Sequence, residues 1–301
     1  MKTSDIVIVP KISKYEFDIR TYGATHEEIV AKYRREGVDV EVVLESHKRQ
    51  KESLGRMRGY FGDNQFISRE KLGKDIVRNT RFVVALGGDN HFQYVSHFVD
   101  SALMIGINSD PTTSEGALTY YRAADIEAIL TRLENGDFNV EEWTRLEARV
   151  NGNLVALAMC EYFLGEAQRK NMSRNIIKLG DVKEEQKCSG LLVTTGAGST
   201  GWYDSECKYL YPKGNRFPKT EKIARFLVTA PYTGKLNRPT VLEGAIREGE
   251  ELTIHSLNDS NGVVTSDSLE EYEFGRGVHA VIKVSDNPLK VVRIHGCEHG
   301  R

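Results

Sequence analysis

No apolar run in this chain approaches the roughly 18 residues that a membrane-spanning helix needs. Excess charge is missing too. The 41 basic and 43 acidic residues leave a formal net charge of −2, so nothing points to nucleic acid or a membrane surface. Cysteine is sparse. Cys160, Cys188, Cys207 and Cys297 stand far apart and form no CxxC pair, which favours buried thiols in a reducing compartment over disulfides. No signal or transit segment is legible, because a strand pattern begins at Ile6 with too little chain ahead of it. Together these absences predict a cytoplasmic protein. There is no internal repeat and no low-complexity linker. What is present is 301 residues, 40% hydrophobic and 28% charged, enough for one large or two modest packed domains.

The chain is organised around residues 81–92, RFVVALGGDNHF. Residues 82–86 are a continuous apolar run, the pattern of a strand buried on both faces. Gly87 and Gly88 stop it, Asp89 follows, and Asn90 can cap a helix of about two turns over 91–99. A strand, a Gly-Gly turn and a helix start make a backbone site that an anion can approach closely. An Asp there suits work on a hydroxyl proton or a metal ion beside a phosphate. The plain reading is a tight turn whose Asp only caps the helix.

Around this motif the first third reads β-α-β-α-β-α-β. Residues 6–9 are a strand. Residues 11–21 interleave Lys11, Lys14 and Arg20 with Tyr15 and Phe17. A helix over 25–37 has Thr25 and Glu28 as a capping box and Gly37 as its stop. Residues 38–44 alternate into a second strand. Residues 46–61 form a charged helix, with Lys48, Arg49, Lys51, Arg56 and Arg58 on a solvated face, and 68–78 form another. Residues 103–107 are a strand ending at Asn108-Ser109-Asp110-Pro111. This pattern predicts a doubly wound α/β sheet, with ligands at the carboxyl ends of the strands, where Gly87 to Asp89 and Asn108 to Asp110 both lie.

After Glu115 the texture changes, which places a domain boundary near 115, with 1–115 and 116–301 as the two domains. Residues 125–136 are a helix. Residues 144–150 and 153–159 flank Asn151-Gly152, a hairpin signal. Strands are predicted at 175–179, 190–195, 225–230, 251–256, 262–266, 277–284 and 289–294. The second domain is therefore β-rich and sandwich-like, its last strand or tail free to return to the first. Within it, residues 194–203 read TTGAGSTGWY. Small residues let backbone approach a ligand, hydroxyls and amides can hold phosphate or ribose oxygens, and Trp202 and Tyr203 can stack on a base. The plain reading is a flexible loop with a helix-capping Ser.

The two motifs together resemble the NAD kinase family, whose usual forms are GGDG[TS] and TPTGSTAYS. The likeness runs along most of the chain and is nearest to the mitochondrial-type branch. It is carried by KISKYEF (11–17), IGINSDPTTSEG (105–116), MCEYFLGE (159–166), QKCSGLLVTTGAGS (186–199) and GVVTSDSLEEYEF (262–274). The resemblance implies phosphoryl transfer from ATP to the 2′-hydroxyl of the adenosine ribose of NAD, at a site between an α/β and a β-rich domain. Asp89 matches the aspartate that activates or positions the acceptor hydroxyl, and Gly87 and Gly88 the glycines beside the phosphates. Glu161 matches the glutamate of an asparagine-glutamate pair, and Thr195, Gly198, Ser199 and Thr200 the nucleotide loop. Asn90, His91, Asn108, Cys160 and Trp202 complete the candidate nucleotide contacts. Mg²⁺ would bridge the donor phosphates, substrate-bound and held as much by substrate as by protein. A homo-oligomer, dimer or tetramer, is implied, and NAD and ATP are the small-molecule partners.

The sequence departs from the family at named places. Asn90 and His91 replace Gly and Thr or Ser. Asn90 can keep a positive-φ turn, and a charged His91 can bind phosphate. Cys160 replaces the asparagine of the pair, Gly201-Trp202 replaces Ala-Tyr, and Asp267-Ser268 stands for Asp-Gly. Two alternatives stay open: a kinase of another hydroxylated acceptor, and a silent dinucleotide sensor. The tail motif His295-x-Cys297-x-His299 has zinc-type ligands at alternate positions, and its plain reading is a frayed end.

Overall fold

Three apolar runs of the first third form parallel strands, β1 (Ile6–Pro10), β2 (Phe82–Gly87) and β3 (Leu103–Asn108), paired side by side in that order. The computed structural model describes residues 5–168, 170–208 and 215–298. All six residues of β2 are buried, as a central strand covered on both faces requires. Ile6, Ile8, Val84, Leu86, Ile105 and Ile107 turn to one face, against Met57, Ile126 and Ile129. On the other face lies the helix Asp89–Ser96. Its Phe92 fills the space where a Cβ on Gly106 would stand, 2.9 Å away. Helices on both faces make this unit doubly wound. The strand Leu289–Arg293 returns to it, pairing Val291 with Met104 beside β3. The buried Tyr121 hydroxyl fixes the return by donating to Val292 O (3.0 Å) and accepting from Ile294 N (2.8 Å).

Two segments depart from the sequence pattern. Residues 38–44 do not form a strand. They open the helix Val40–Arg58, whose N-terminus Asp39 caps by accepting from Val42 N (3.2 Å). β1 therefore neighbours β2 directly. Residues 68–78 are not one helix, because Gly73 is extended (φ −152°) between the turn Arg69–Lys71 and the short helix Lys74–Val77.

The chain divides into two compact units, one running to Val140 and resuming at Val291, the other being Glu141–Lys290. Residues 116–140, which the change of texture assigns to the second half, pack with the first. Ile126, Ile129 and Leu133 of the helix Ile126–Asn135 lie in its core. The second unit is a sandwich of two six-stranded antiparallel sheets. Leu146, Ile177, Leu252 and Ile282 from one sheet meet Leu164, Val193, Phe226 and Val264 from the other in a single core. The Asn151-Gly152 hairpin forms, both residues at positive φ. The sequence pattern missed the strands Glu161–Glu166, Val182–Cys188 and Glu243–Arg247. The four cysteines are buried free thiols. Among the described residues no helix is long and apolar enough to cross a membrane, and no group of three His, Cys, Asp or Glu could hold a metal ion. Cys297 belongs to the first core, His295 Nε2 meets Asn139 Nδ2 (3.1 Å), and His299 lies outside the described residues.

Candidate functional site

In the first unit β2 ends at Gly87, and the extended Gly88 (φ −95°, ψ −172°) leads into the helix Asp89–Ser96, whose N-terminus has no side-chain cap. Uncapped first-turn amides favour negative charge. Gly87 is required by what packs on it, and Gly88 leaves room for a serine hydroxyl. A Cβ on Gly87 would lie 2.7 Å from the His91 ring, and one on Gly88 would lie 2.5 Å from Ser114 Oγ. The turn borders a cavity of about 290 Å³ whose lining includes Lys11, Gly88, Asp89, Asn90, Asn108 and Ser114. Lys11 makes no ion pair among the described residues and brings a cation to a lining that also holds Asp89, Asp110 and Glu115.

Asp89 is held by the next loop. Its Oδ1 accepts from Leu118 N (2.8 Å) and Thr119 Oγ1 (3.3 Å), and its Oδ2 accepts from Ala117 N (2.9 Å). A carboxylate offers about four lone-pair sites. These bonds leave one site, on Oδ2, for a ligand hydroxyl. Asn90 lies in the helix and not at positive φ, so the turn does not depend on it in the way the sequence suggested. His91 is not placed as a charged phosphate ligand. It is buried, its Nε2–H donates to Val9 O (2.8 Å), and burial lowers its pKa to about 4. The ring is therefore neutral near pH 7.

The second strand end is built as firmly. Asn108 Oδ1 accepts from Asp110 N (3.1 Å), while its Nδ2 donates to Ser114 O (3.1 Å). Asp110 accepts from Ser46 Oγ (2.6 Å), Arg49 Nε (2.7 Å) and Thr113 Oγ1 (2.7 Å). Burial pushes the Asp110 carboxyl up, but the Arg49 guanidinium and the hydroxyl donors outweigh it and hold the group well below the usual carboxylate range. Arg49 is thus turned inward from the face expected to be solvated. Ser46, Arg49, Gln50 and Ser53 recur at helical spacing, with Ser53 Oγ donating to Ser109 O (2.8 Å). That spacing of small and polar residues was the available signal for a functional face, and the charge pattern hid it.

In the second unit Glu161, Cys160 and the 194–200 loop come together. Thr195 N donates to Cys160 O (2.9 Å), and Thr195 Oγ1 donates to Met159 O (2.6 Å) while accepting from Ala197 N and Gly198 N. A Cβ on Gly198 would lie 2.3 Å from Cys160 O. Thr195 and Ser199 are fully buried, and Ser199 Oγ bonds Gly196 O (2.8 Å) and Phe217 N (3.2 Å). These two hydroxyls shape the loop rather than offer themselves to a ligand, while Thr200 is half-buried and donates to Ala197 O (2.9 Å). Trp202 stacks on Phe163, with ring centroids 5.3 Å apart, and its Nε1 donates to Glu206 (2.9 Å). Tyr203 is buried in the same cluster, so it has no face for a base.

Asp267 anchors this region. Its carboxylate accepts from the successive amides of Met159 (2.8 Å), Cys160 (2.8 Å) and Glu161 (2.9 Å). Asp267 and Ser268 sit at φ +52° and +56°. Only glycine adopts that region without strain, so Ser268→Gly is expected to stabilise the fold by about 0.5–1 kcal/mol. A thermal melt in which the variant unfolds no later than wild type would count against this.

Among the described residues nothing donates to the Glu161 carboxylate. Burial, with the Asp267 charge beside it, raises its pKa from the ordinary 4.5 to about 8. A raised carboxyl keeps its proton in the fold where the unfolded chain has lost it. That stabilisation is fully present below pH 4.5 and is lost as pH rises through about 8. Glu161→Gln cannot ionise. It should exceed wild type in stability by roughly 4 kcal/mol at pH 8 and match it at low pH. Urea unfolding at both pH values checks the difference, and an equal gap at each would rule out a buried neutral carboxyl.

No protein-family model matches the sequence. The chain is 25% identical over 240 residues to a probable NADH kinase of Oryza sativa subsp. japonica, covering 72% of each protein. It is 26% identical over 254 residues to NAD kinase 2, mitochondrial, of Rattus norvegicus, covering 67% of this chain but 60% of that one. In structure it resembles an NAD kinase from Archaeoglobus fulgidus in complex with ATP. The TM-score is 0.64 at 18% identity, over 96% of this chain and 94% of the other. Yeast NADH kinase complexed with NADH gives a TM-score of 0.61 at 12% identity, over 77% and 67%.

Proposed function

We propose that this chain, a relative of the NAD kinases in fold and sequence, transfers the terminal phosphoryl group of ATP to the 2′-hydroxyl of the adenosine ribose of NAD, giving NADP. The observation that carries the reading is the Gly87-Gly88-Asp89 turn at the end of β2. Among the described residues it combines an uncapped helix start, a Lys11 without an ion pair and a carboxylate with one lone-pair site unused around one polar cavity. Phosphoryl transfer asks mainly for positioning and charge neutralisation. Asp89 Oδ2 takes the acceptor hydroxyl's hydrogen bond and orients or deprotonates it. The first-turn amides and Lys11 face the phosphates.

In the second unit a protonated Glu161 offers one donor and acceptor sites suited to a ribose or a base edge. The small residues around Gly198 leave backbone open to close approach. Mg²⁺ supplies charge neutralisation when bound. Asp110 is saturated by its own donors, and Asp89 has little left to give. The residues present therefore fit an ion carried mainly by phosphate oxygens. The enzyme acts as a homo-oligomer that covers the sandwich edges, in a reducing compartment such as the cytoplasm, where its free thiols persist.

The test is NADP formation by purified protein with ATP, Mg²⁺ and NAD. Turnover supports the reading. NAD binding by calorimetry with no ATP consumed would replace it with a dinucleotide-binding role.

A further inference from the structure

The Arg49–Asp110 pair joins two segments 61 residues apart in the chain, and the turn that Asp110 makes does not need it. Within its own loop Asp110 accepts from Thr112 N (3.3 Å) and Thr113 Oγ1 (2.7 Å). One neutral Asn oxygen could make such a turn. A buried carboxylate is costly unless a cation or several donors meet it. Here the further donors come from the helix Val40–Arg58, as Arg49 Nε to Oδ1 (2.7 Å) and Ser46 Oγ to Oδ2 (2.6 Å). Ser53 of the same helix adds a tie at Ser109 O (2.8 Å). From Asp110 the bonds run on through the loop. The Asp110 carbonyl accepts from Ser114 N (3.1 Å), and Asn108 Nδ2 donates to Ser114 O (3.1 Å). Gly116 turns the chain back at φ +76°, where a Cβ would stand 3.0 Å from Thr119 O and 3.2 Å from Asn108 Nδ2. That turn delivers Ala117 N and Leu118 N to the two oxygens of Asp89, at 2.9 and 2.8 Å. The 108–119 loop is thus fastened to the helix at one end and grips the Asp89 carboxylate at the other. Arg49 is not among the residues that line the cavity, so its contact with the site runs through Asp110.

We propose that Arg49 is a positioning residue for Asp89, anchoring through Asp110 the loop whose amides hold the carboxylate in place. This deepens the kinase reading and rests on it for the step that Asp89 performs. Without the anchor Asp89 keeps its loop partners, but loop and carboxylate can shift together. A displacement of about 1 Å at a reacting group costs on the order of 10²-fold in rate. Phosphate binding does not depend on the same register. Lys11 follows β1 directly and the first-turn amides belong to the helix Asp89–Ser96, so neither stands on the loop. The effect therefore falls on kcat and spares the KM for ATP.

The experiment measures NADP formation and amide exchange in the full chain carrying Arg49→Met. That substitution removes the guanidinium and leaves the bonds within the loop, so the loop keeps its own turn. The kcat should fall about 10- to 100-fold, with the KM for ATP within about threefold of wild type. In an Asp89→Asn background the same substitution should cost less than about twofold, since a residue that acts through Asp89 has nothing left to position. Arg49→Lys, which keeps a cation within reach of Asp110, should restore kcat to within about threefold of wild type. Exchange at Ala117 and Leu118 should quicken at least about tenfold in Arg49→Met, return in Arg49→Lys, and stay unchanged at Ala197 and Gly198 of the second unit. Ser46→Ala removes a single bond to Asp110, and it carries the same readouts at about three- to tenfold should the methionine form not fold. An equal fall of kcat in both backgrounds marks loss of folded protein and overturns the proposal. So does a rise in KM alone, or unchanged exchange at Ala117 and Leu118. If the wild type makes no NADP, the kinase reading fails, and quickened or unchanged exchange at those two amides upholds or overturns the anchor by itself.

Discussion

Asp89→Asn is expected to lower NADP formation at saturating substrate by about 10²- to 10⁴-fold, the usual contribution of a positioned proton acceptor. The substitution keeps an oxygen for Leu118 N and Thr119 Oγ1 but turns an amino group toward Ala117 N, donor against donor. A stability loss of roughly 1–3 kcal/mol should therefore accompany the lost activity. The two effects separate through Thr119→Val, which removes only the longest bond to Asp89, at 3.3 Å. That variant should lose some stability and keep its rate within a few-fold. A rate for Asp89→Asn within tenfold of wild type, with a lowered melting temperature, would assign Asp89 to the loop alone.

The second large effect is on stability. Asp267→Ala should cost roughly 3–5 kcal/mol, because it leaves the buried amides of Met159, Cys160 and Glu161 without their acceptor. The damage should spread to the 194–200 loop, since Thr195 is bonded to the carbonyls of Met159 and Cys160. Denaturant midpoints measure the cost, and amide exchange at Ala197 and Gly198 measures the spread. A cost below about 1 kcal/mol, or unchanged exchange at those amides, would mean that water replaces the carboxylate without penalty.

Much of the architecture was legible because strand burial leaves a pattern. The 82–86 run, the 103–107 run and the Asn151-Gly152 hairpin are strong signals, and each formed. Residues 38–44 misled because alternating valines also place Val40, Val43 and Leu44 at helical spacing, and the Asp39 cap decided between the two periods. Val182–Cys188 was invisible because it is a charged edge strand, while Glu161–Glu166 is buried on both faces and shows no alternation. The candidate site divides the same way. The residues that carry chemistry stood out as letters in a motif. Their holders did not, because the amides of Ala117, Leu118 and Met159 belong to every residue type and leave no trace in composition. An aromatic beside a glycine loop reads the same in sequence whether it faces a ligand or packs inward, as Tyr203 does.

The contact between Gly87 and His91 also constrains the history of this turn. Any side chain at 87 would stand within 2.7–2.9 Å of the imidazole. The histidine as placed requires glycine there. Once present, it closes position 87 to every other residue until it is itself replaced. The two positions are therefore coupled, and a library that varies 87 alone in this chain is expected to be dominated by glycine, while one that varies 87 and 91 together should recover other pairs.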